Sequence, residues 1–143
     1  MTTINPYLTF NGNCEEAFDF YKSVFGGDFQ YVGRFSEMPP NPEYPIPESE
    51  KDKIMHISLP ISETAVLAGS DSSEAFGQAT VIGNNISISI NTDSEEETDR
   101  IFADLSKDGQ IKMPLAKTFW GSYFGMFTDK FGIHWMISCE IPE

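Results

Sequence analysis

The stretch that decides the fold is NPYLTFNGNCEEAFDFYKSVFGG, residues 5–27. Every second residue of 5–10 is apolar, which is the pattern of a half-buried strand. Over 13–25 the apolar residues recur at helical spacing, with Asn13 as the predicted N-cap and the glycine pair 26–27 as the stop. The predicted helical stripe consists of Ala17, Phe20, Tyr21, Val24 and Phe25. These residues predict a strand followed directly by an amphipathic helix.

The same order recurs in the second half of the chain. An alternating segment, NNISISI at 84–90, precedes a second helical stripe over 94–108. Ser94 and Glu97 have the spacing of a capping box, and Gly109 is the predicted helix stop. The second stripe consists of Ile101, Phe102 and Leu105. The chain therefore reads as a duplicated strand-helix unit.

Three further strand candidates follow each helix. They lie at 28–35, 53–60 and 64–69 in the first half, and at 111–119, 122–128 and 133–139 in the second. The prediction is an α+β domain over 1–143 made of two βαβββ modules, about 1–70 and about 84–143, with a small polar linker at about 71–83. Each helix covers one face of its sheet, so the two open faces are expected to form a curved, mixed-sheet cleft.

Composition excludes several classes of function. The formal net charge is −13, which repels phosphate backbones and anionic lipids, so neither nucleic acid nor membrane is expected as a partner. No apolar run approaches the roughly 18 residues of a membrane helix, and the N-terminus lacks the features of a signal peptide. The expected location is cytoplasmic. Cys14 and Cys139 are expected to be reduced, structural thiols.

The segment EMPPNPEYPIPESEKD, 37–52, contains five prolines. Proline cannot pair in a sheet interior, so this segment is predicted to be a solvent-facing loop. Long loops are either functional or merely tolerated, and a lid and a variable connection are both compatible with the sequence.

Three stretches resemble a known family. They are YLTFNGNCEEAFDFYKSVFGG at 7–27, MHISLP with AVLAGSD at 55–71, and FWGSYFGMFTDKFGIHW at 119–135. Together they resemble the PhnB-like branch of the vicinal oxygen chelate superfamily, which includes glyoxalases, bleomycin-resistance proteins and dioxygenases. The resemblance implies the paired βαβββ fold and a homodimer. The methyltransferase label used for this branch has no support in the sequence, because no glycine-rich loop opens a helix after an early strand.

The sequence departs from the metal enzymes of this superfamily at their ligand positions. The resemblance implies one ligand from the first and last strand of each half, and these positions fall on Asn5 or Pro6, Ala68, Asn85 and Met136. None offers the imidazole, thiolate or carboxylate donors that a divalent ion needs. The expectation is that the usual metal site is lost, and no cofactor is predicted.

Strand alternation predicts which side chains line the cleft. In 84–90 the isoleucines at 86, 88 and 90 are predicted to pack on a helix, which turns Asn85, Ser87 and Ser89 to the open face. In 53–60 the apolar set is Met55, Ile57 and Leu59, leaving His56 and Ser58 opposite. In 133–139 the same argument leaves His134, Met136 and Ser138 on the open face.

The two histidines are the candidate catalytic residues, since an imidazole can act as general base, hydrogen-bond donor or metal ligand. Each could equally satisfy a neighbouring backbone or serine group. An aromatic cluster lies where the resemblance places the floor and rim of the cleft, and a dimer seam or core is the competing interpretation. Its members are Phe119, Trp120, Tyr123, Phe124 and Phe127.

The leading hypothesis is a protein that binds an unidentified small molecule in the cleft between the sheets, with the usual metal site lost and the reaction unknown. The candidate ligand-binding residues are His56, Asn85, Ser87, Trp120, Phe124, His134 and Met136. One alternative is a metal-dependent or acid–base lyase, isomerase or dioxygenase that uses His56 and His134. Another is sequestration of a cationic antibiotic, suggested by the resistance members of the superfamily and by the acidic charge.

Overall fold

The structure is a computed structural model that describes residues 2–77 and 79–141. The chain divides into two compact units, residues 1–81 and 82–143. The first unit has β1 (Tyr7–Phe10), α1 (Cys14–Phe25), β2 (Tyr31–Arg34), β3 (Ile54–Pro60) and β4 (Val66–Asp71). The second has β5 (Ile88–Asn91), α2 (Glu95–Leu105), β6 (Gln110–Lys117), β7 (Ser122–Thr128) and β8 (His134–Glu140). Both units have the predicted order βαβββ, so the α+β fold is confirmed.

Each unit contains one mixed four-stranded sheet. The strand orders are β1-β4-β3-β2 and β5-β8-β7-β6. The first and last strands of each unit pair in parallel, and the remaining pairs are antiparallel. Within the described residues, no helix is long and apolar enough to cross a membrane.

Several predicted boundaries are wrong. β5 begins at Ile88 rather than at residue 84, and Ile86 is 76% exposed instead of packing on a helix. α2 ends at Leu105, before the predicted limit of 108, and Asp108 adopts a left-handed conformation with φ of 62°. The physical reason is that the apolar pattern of the sequence continues beyond the residues that pair in the strand or belong to the helix, so it overestimates the length of both elements.

The N-terminus of α1 is held by Asp71 from the end of β4. Asn13 occupies the N-cap position but makes no side-chain capping hydrogen bond, which corrects the prediction. Asp71 Oδ1 instead accepts from the backbone amides of Gly12 and Cys14, both at 2.9 Å. Its Oδ2 accepts from the amide of Ile54 at 2.9 Å, at the start of β3. One buried carboxylate therefore joins a helix N-terminus, where negative charge is favourable, to two strands.

The second unit uses Asp129 to hold the turn before β8. Asp129 Oδ1 accepts from the amides of Phe131 and Ile133, and Oδ2 accepts from the indole Nε1 of Trp135 at 2.8 Å. The helix α2 is capped as predicted at its first turn, where the hydroxyl of Ser94 accepts from the amide of Glu97. The backbone groups at these turns are thus satisfied by short polar side chains.

Each helix packs a phenylalanine directly on a strand glycine. A Cβ atom on Gly69 would lie 2.7 Å from the ring of Phe18 in α1, and a Cβ atom on Gly125 would lie 2.7 Å from the ring of Phe102 in α2. Phe102 also makes an edge contact with Phe127, at 5.1 Å between ring centroids. Glycine at these positions allows the helix to approach the sheet closely.

Asp71→Asn is expected to lower the free energy of unfolding by about 2–3 kcal/mol, because the amide NH2 cannot accept from a buried N–H and leaves that donor unsatisfied. Urea unfolding followed by circular dichroism measures the change. Asp19→Asn, on the exposed side of α1, is the matched control and should change the value by less than about 0.5 kcal/mol. Equal effects of the two substitutions would contradict the role given to Asp71.

Gly125→Ala is expected to cost about 1–3 kcal/mol, because the added methyl group overlaps the Phe102 ring in a packed core. Gly83→Ala is the control, since a Cβ atom there meets nothing closer than 3.7 Å. Thermal unfolding of both variants distinguishes crowding from a general effect of replacing glycine. A Gly125→Ala protein as stable as the control would show that the helix does not approach the sheet this closely.

Candidate functional site

The open face of the first sheet is shaped by a bulge in β3. The pairing with β2 passes from Gly33 opposite His56 to Arg34 opposite Ile54, so Met55 has no partner. The extra residue places Met55 and His56 on one side, while Ile54 and Ile57 are both fully buried beneath them. The predicted assignment of Met55 to the helix-packed face is therefore wrong, because a bulge interrupts the period of two.

His56 lies between two tyrosine rings on this face. The hydroxyl of Tyr7 is 3.3 Å from His56 Nδ1, and the Tyr7 and His56 rings stack with centroids 5.7 Å apart. The ring of Tyr31 lies on the other side, also 5.7 Å away. Gly33 makes room for Tyr31, since a Cβ atom there would lie 2.7 Å from that ring. The Nε2 atom of His56 has no hydrogen-bond partner among the described residues.

A cavity of about 390 Å³ lies on the same face, beyond Met55. The sheet contributes Thr9, Met55 and Ser70 from three adjacent strands. Its outer wall is formed by Phe35, Met38 and Phe76. The cavity therefore offers hydroxyl groups, thioethers and aromatic surface, and it reaches Met55, the residue before His56, while His56 itself does not line it.

His134 begins β8 in the second unit, and both of its ring nitrogens are occupied. Nε2 is 2.9 Å from the carbonyl oxygen of Gly83, and Nδ1 is 2.9 Å from the hydroxyl of Thr128. A carbonyl can only accept, so Nε2 carries the proton in this bond. In the neutral ring, Nδ1 then accepts from the Thr128 hydroxyl. These bonds give His134 a structural role, which is one of the two roles that the sequence allowed for it.

The open face of the second sheet carries a row of methionines. Ser89, Met136, Met126 and Met113 are register partners across the four strands. Phe124 lies in the next row, opposite Ser138. Asn85 and Ser87 precede β5 and are exposed, so their predicted places within the strand are wrong. A polar cavity of about 620 Å³ lies at the other end of β8 from His134, lined by residues that include Asn91, Ser122, Ser138 and Glu140.

The predicted aromatic cluster is divided between two surfaces. Phe127 is buried against Phe102, and the hydroxyl of Tyr123 donates to Asp99 Oδ1 in α2 at 2.6 Å. Phe119 and Trp120 are exposed in the turn between β6 and β7, and Trp120 contacts Phe124 at 6.2 Å between centroids. Alternation along β7 accounts for this division, because neighbouring aromatic residues point to opposite faces.

The strand register pairs other residues with two of the positions that were compared with the superfamily's metal ligands. Tyr7, not Asn5 or Pro6, lies beside Ala68, and Ser89, not Asn85, lies beside Met136. A phenol, a methyl group, a hydroxyl and a thioether do not form a donor set for a hard or borderline cation. Within residues 2–77 and 79–141, no group of three or more His, Cys, Asp or Glu side chains is placed to hold a metal ion. The residues at these positions do not fit the metal that the fold implies.

Of these site residues, Met136 was predicted from the sequence, whereas Tyr7, Tyr31, Met113 and Met126 were not. The alternation of 5–10 already placed Tyr7 opposite Leu8 and Phe10, so that signal was present in the sequence. The packing of Tyr31 on His56 depends on pairing between β2 and β3, which a single sequence does not reveal.

The comparisons with known proteins agree with this architecture. A family model described as 3-demethylubiquinone-9 3-methyltransferase matches residues 2–138. Protein YjdN from Escherichia coli strain K12 is 32% identical over 143 residues, which covers 94% of this chain and 93% of that protein. Protein PA1353 from Pseudomonas aeruginosa is 41% identical with a TM-score of 0.84, covering 99% of this chain and 100% of that one.

Two further solved structures are similar to this chain. A putative 3-demethylubiquinone-9 3-methyltransferase, PhnB protein, from Bacillus cereus is 26% identical with a TM-score of 0.75, covering 96% of this chain and 99% of that one. A glyoxalase/bleomycin resistance protein/dioxygenase family enzyme from Burkholderia phytofirmans shares the fold alone, at 14% identity and a TM-score of 0.59, covering 94% of this chain and 97% of that one.

The turn between β1 and α1 is where a methyl-donor cofactor would be expected to bind if the chain were a methyltransferase. A nucleotide-like cofactor is usually held by a glycine-rich turn whose free amides face it. Here the turn, Asn11–Asn13, contains a single glycine, and the amides of Gly12 and Cys14 are already bound by Asp71. This turn does not fit a methyl-donor cofactor of that kind.

The hydrogen bond to Asp99, together with burial, raises the pKa of Tyr123 to about 12. Because the folded pKa lies above the ordinary value of 10, this pair stabilises the fold below pH 10, and the contribution is lost as the pH rises toward 12. Asp99→Asn is expected to lower the pKa of Tyr123 toward 10. A ¹³C-tyrosine NMR titration, assigned with Tyr123→Phe, measures the pKa, and Asp104→Asn on the same helix should leave it unchanged.

Proposed function

Because this chain belongs to the PhnB-like family described as 3-demethylubiquinone-9 3-methyltransferase, whose fold is that of the glyoxalase/bleomycin resistance/dioxygenase superfamily, we propose that it binds a small molecule on an open sheet face. The proposed binding residues lie on the open face of the first sheet, and all four of its strands, β1 to β4, contribute to them. His56 is at their centre.

The observation that carries this proposal is the contrast between the two histidines. His134 has both ring nitrogens bonded within its own unit, as expected of a structural histidine. His56 is bonded at Nδ1 by Tyr7, and its Nε2 is without a partner among the described residues. The His56 side chain is half-buried, but its Nε2 atom is open to solvent and has no protein partner within the part of the chain that the structure describes, so it is available to a ligand.

The surroundings of His56 indicate the chemistry of the ligand. Two tyrosine rings flank the imidazole and provide flat surfaces for an apolar or planar group. The adjacent cavity provides the hydroxyls of Thr9 and Ser70. A small molecule with a planar body and at least one group that hydrogen-bonds to imidazole matches this face.

Acid–base catalysis by His56 is a second candidate function. When Nδ1–H donates to the Tyr7 oxygen, Nε2 presents a free lone pair that can take a proton from a bound molecule. Tyr7 then orients the ring. This role belongs to His56 and Tyr7, since the nitrogens of His134 are engaged elsewhere. Sequestration of an antibiotic and assembly as a homodimer stay predictions of the family resemblance.

A screen of small fragments by ¹⁵N-edited NMR tests the proposal. Fragments that bind are expected to shift the amides around His56, Ser58 and Ser70. His56→Ala should weaken their binding about tenfold, the loss expected for one hydrogen bond of about 1.4 kcal/mol. Tyr31→Ala should weaken the binding of planar fragments by a similar factor. His134→Ala is the matched control and should leave the dissociation constants unchanged.

Binding that survives both His56→Ala and Tyr31→Ala would show that this face is not the binding site. Amide spectra of the unbound variants separate loss of a contact from loss of the fold.

A further inference from the structure

The proline-rich segment is folded onto the aromatic ring of Phe76. Phe76 lies between Phe35 and Tyr44, with centroid distances of 6.3 and 5.4 Å and interplanar angles of 24° and 23°. Tyr44 and Phe76 are nevertheless 46% and 51% exposed. Phe35 is buried, so the stacked rings of Tyr44 and Phe76 are the ones that present open faces and edges to solvent. Phe76 also lines the cavity on the sheet face, and Tyr44 does not.

The segment is fixed by its own hydrogen bonds. Asn41 accepts from the amides of Glu43 and Tyr44, each at 3.0 Å, which sets the turn that carries the tyrosine. Glu50 accepts from the Ser73 hydroxyl at 2.6 Å and from the Glu74 amide at 3.1 Å. These bonds hold both sides of the ring stack in place. The arrangement is therefore organised before any ligand binds.

A second cavity, of about 490 Å³, lies within this segment. Its size is in the range of small-molecule sites. The residues that line it include Met38, Pro39, Pro42, Tyr44, Ile46 and Phe76. It shares Phe35, Met38 and Phe76 with the cavity of about 390 Å³ on the sheet face, so these three residues are common to the two.

The charge around this cavity is negative. Residues 37–52 contain five acidic residues and one lysine, a net charge of −4. The lysine, Lys51, lines the cavity, but its Nζ is 2.8 Å from Glu48 Oε2 and is compensated there. The whole unit, 1–81, has twelve acidic and four basic residues. None of these carboxylates lines the cavity, so their effect is a long-range one that favours the approach of cations over that of anions.

We propose that the cavity lined by the proline-rich segment and Phe76 is a second ligand site, which takes a flat organic cation. Aromatic faces attract a cation through their quadrupole and stack on a planar apolar body. The acidic segment supplies the long-range attraction. This site is separate from the face around His56, and it stands or falls independently of the function proposed there.

Three bicyclic probes of similar size and different charge test this site: N-methylquinolinium, quinoline at pH 8, and 2-naphthoate. Titrations of the full chain are followed by ¹⁵N NMR. The expected result is that N-methylquinolinium shifts the amides of 35–46 and 76, with an affinity roughly tenfold higher than that of 2-naphthoate. Added salt should reduce this preference.

Two variants locate the binding. Tyr44→Ala removes a half-exposed ring that lines only the cavity of the proline-rich segment, and it is expected to weaken N-methylquinolinium roughly tenfold. His56→Ala is the control and should not change that affinity. Phe76→Ala is a second variant, in case Tyr44→Ala disturbs the turn at Asn41.

The proposal is overturned if N-methylquinolinium produces no shifts at 35–46, if 2-naphthoate binds as well as the cation, or if neither Tyr44→Ala nor Phe76→Ala weakens binding. Shifts centred on His56 would assign the cation to the sheet face instead, and would also overturn it.

Discussion

The fold of the first unit depends on Asp71, the last residue of β4. Its carboxylate accepts hydrogen bonds from three backbone amides in two other segments. The helix N-terminus, the start of β3 and the end of β4 are thereby fixed to one buried group. Burial, together with the nearby charge of the same carboxylate, raises the pKa of the Cys14 thiol well above its usual range. Cys14 is therefore a protonated core residue. Because Asp71 fixes where β3 begins, it also fixes the bulge that turns Met55 and His56 to the same face.

The sequence was sufficient for the order of the α-helices and β-strands that the structure describes, since duplicated periodicity is a strong signal when two halves repeat it. It was insufficient for contacts between segments distant along the chain. Asn13 is a residue type favoured at N-caps, but the amide of Cys14 is capped by Asp71, which lies 57 positions after Cys14. Similarly, the alternation of NNISISI begins before a neighbouring strand is available, so Asn85 and Ser87 fall outside β5. A residue pattern indicates which side chains could share one face of a strand, and strand pairing decides which of those residues belong to the strand.

The candidate site shows the same division between pattern and pairing. Alternation placed both histidines on open faces, and His56 and His134 do lie in strands at those positions. The two histidines differ in chemical role because their neighbours differ, and periodicity does not reveal these neighbours. His134 is bonded by Gly83 and Thr128. His56 is flanked by Tyr7 and Tyr31. The parallel register likewise places Tyr7, and not Asn5, beside Ala68, one of the positions compared with the metal ligands. A shift of one or two residues changes which side chain faces a ligand.

The wall shared by the two cavities of the first unit has a thermodynamic consequence. Phe35, Met38 and Phe76 line both, so the position of the Phe76 ring sets the width of each cavity. The ring is half-exposed and is held by stacking on Tyr44 and Phe35, not by a packed core. A molecule that displaced the ring from one side would change the shape of the cavity on the other side, and any coupling free energy that resulted would be reciprocal. Phe76 is therefore the side chain through which the two cavities are in contact, while His56 lines neither of them.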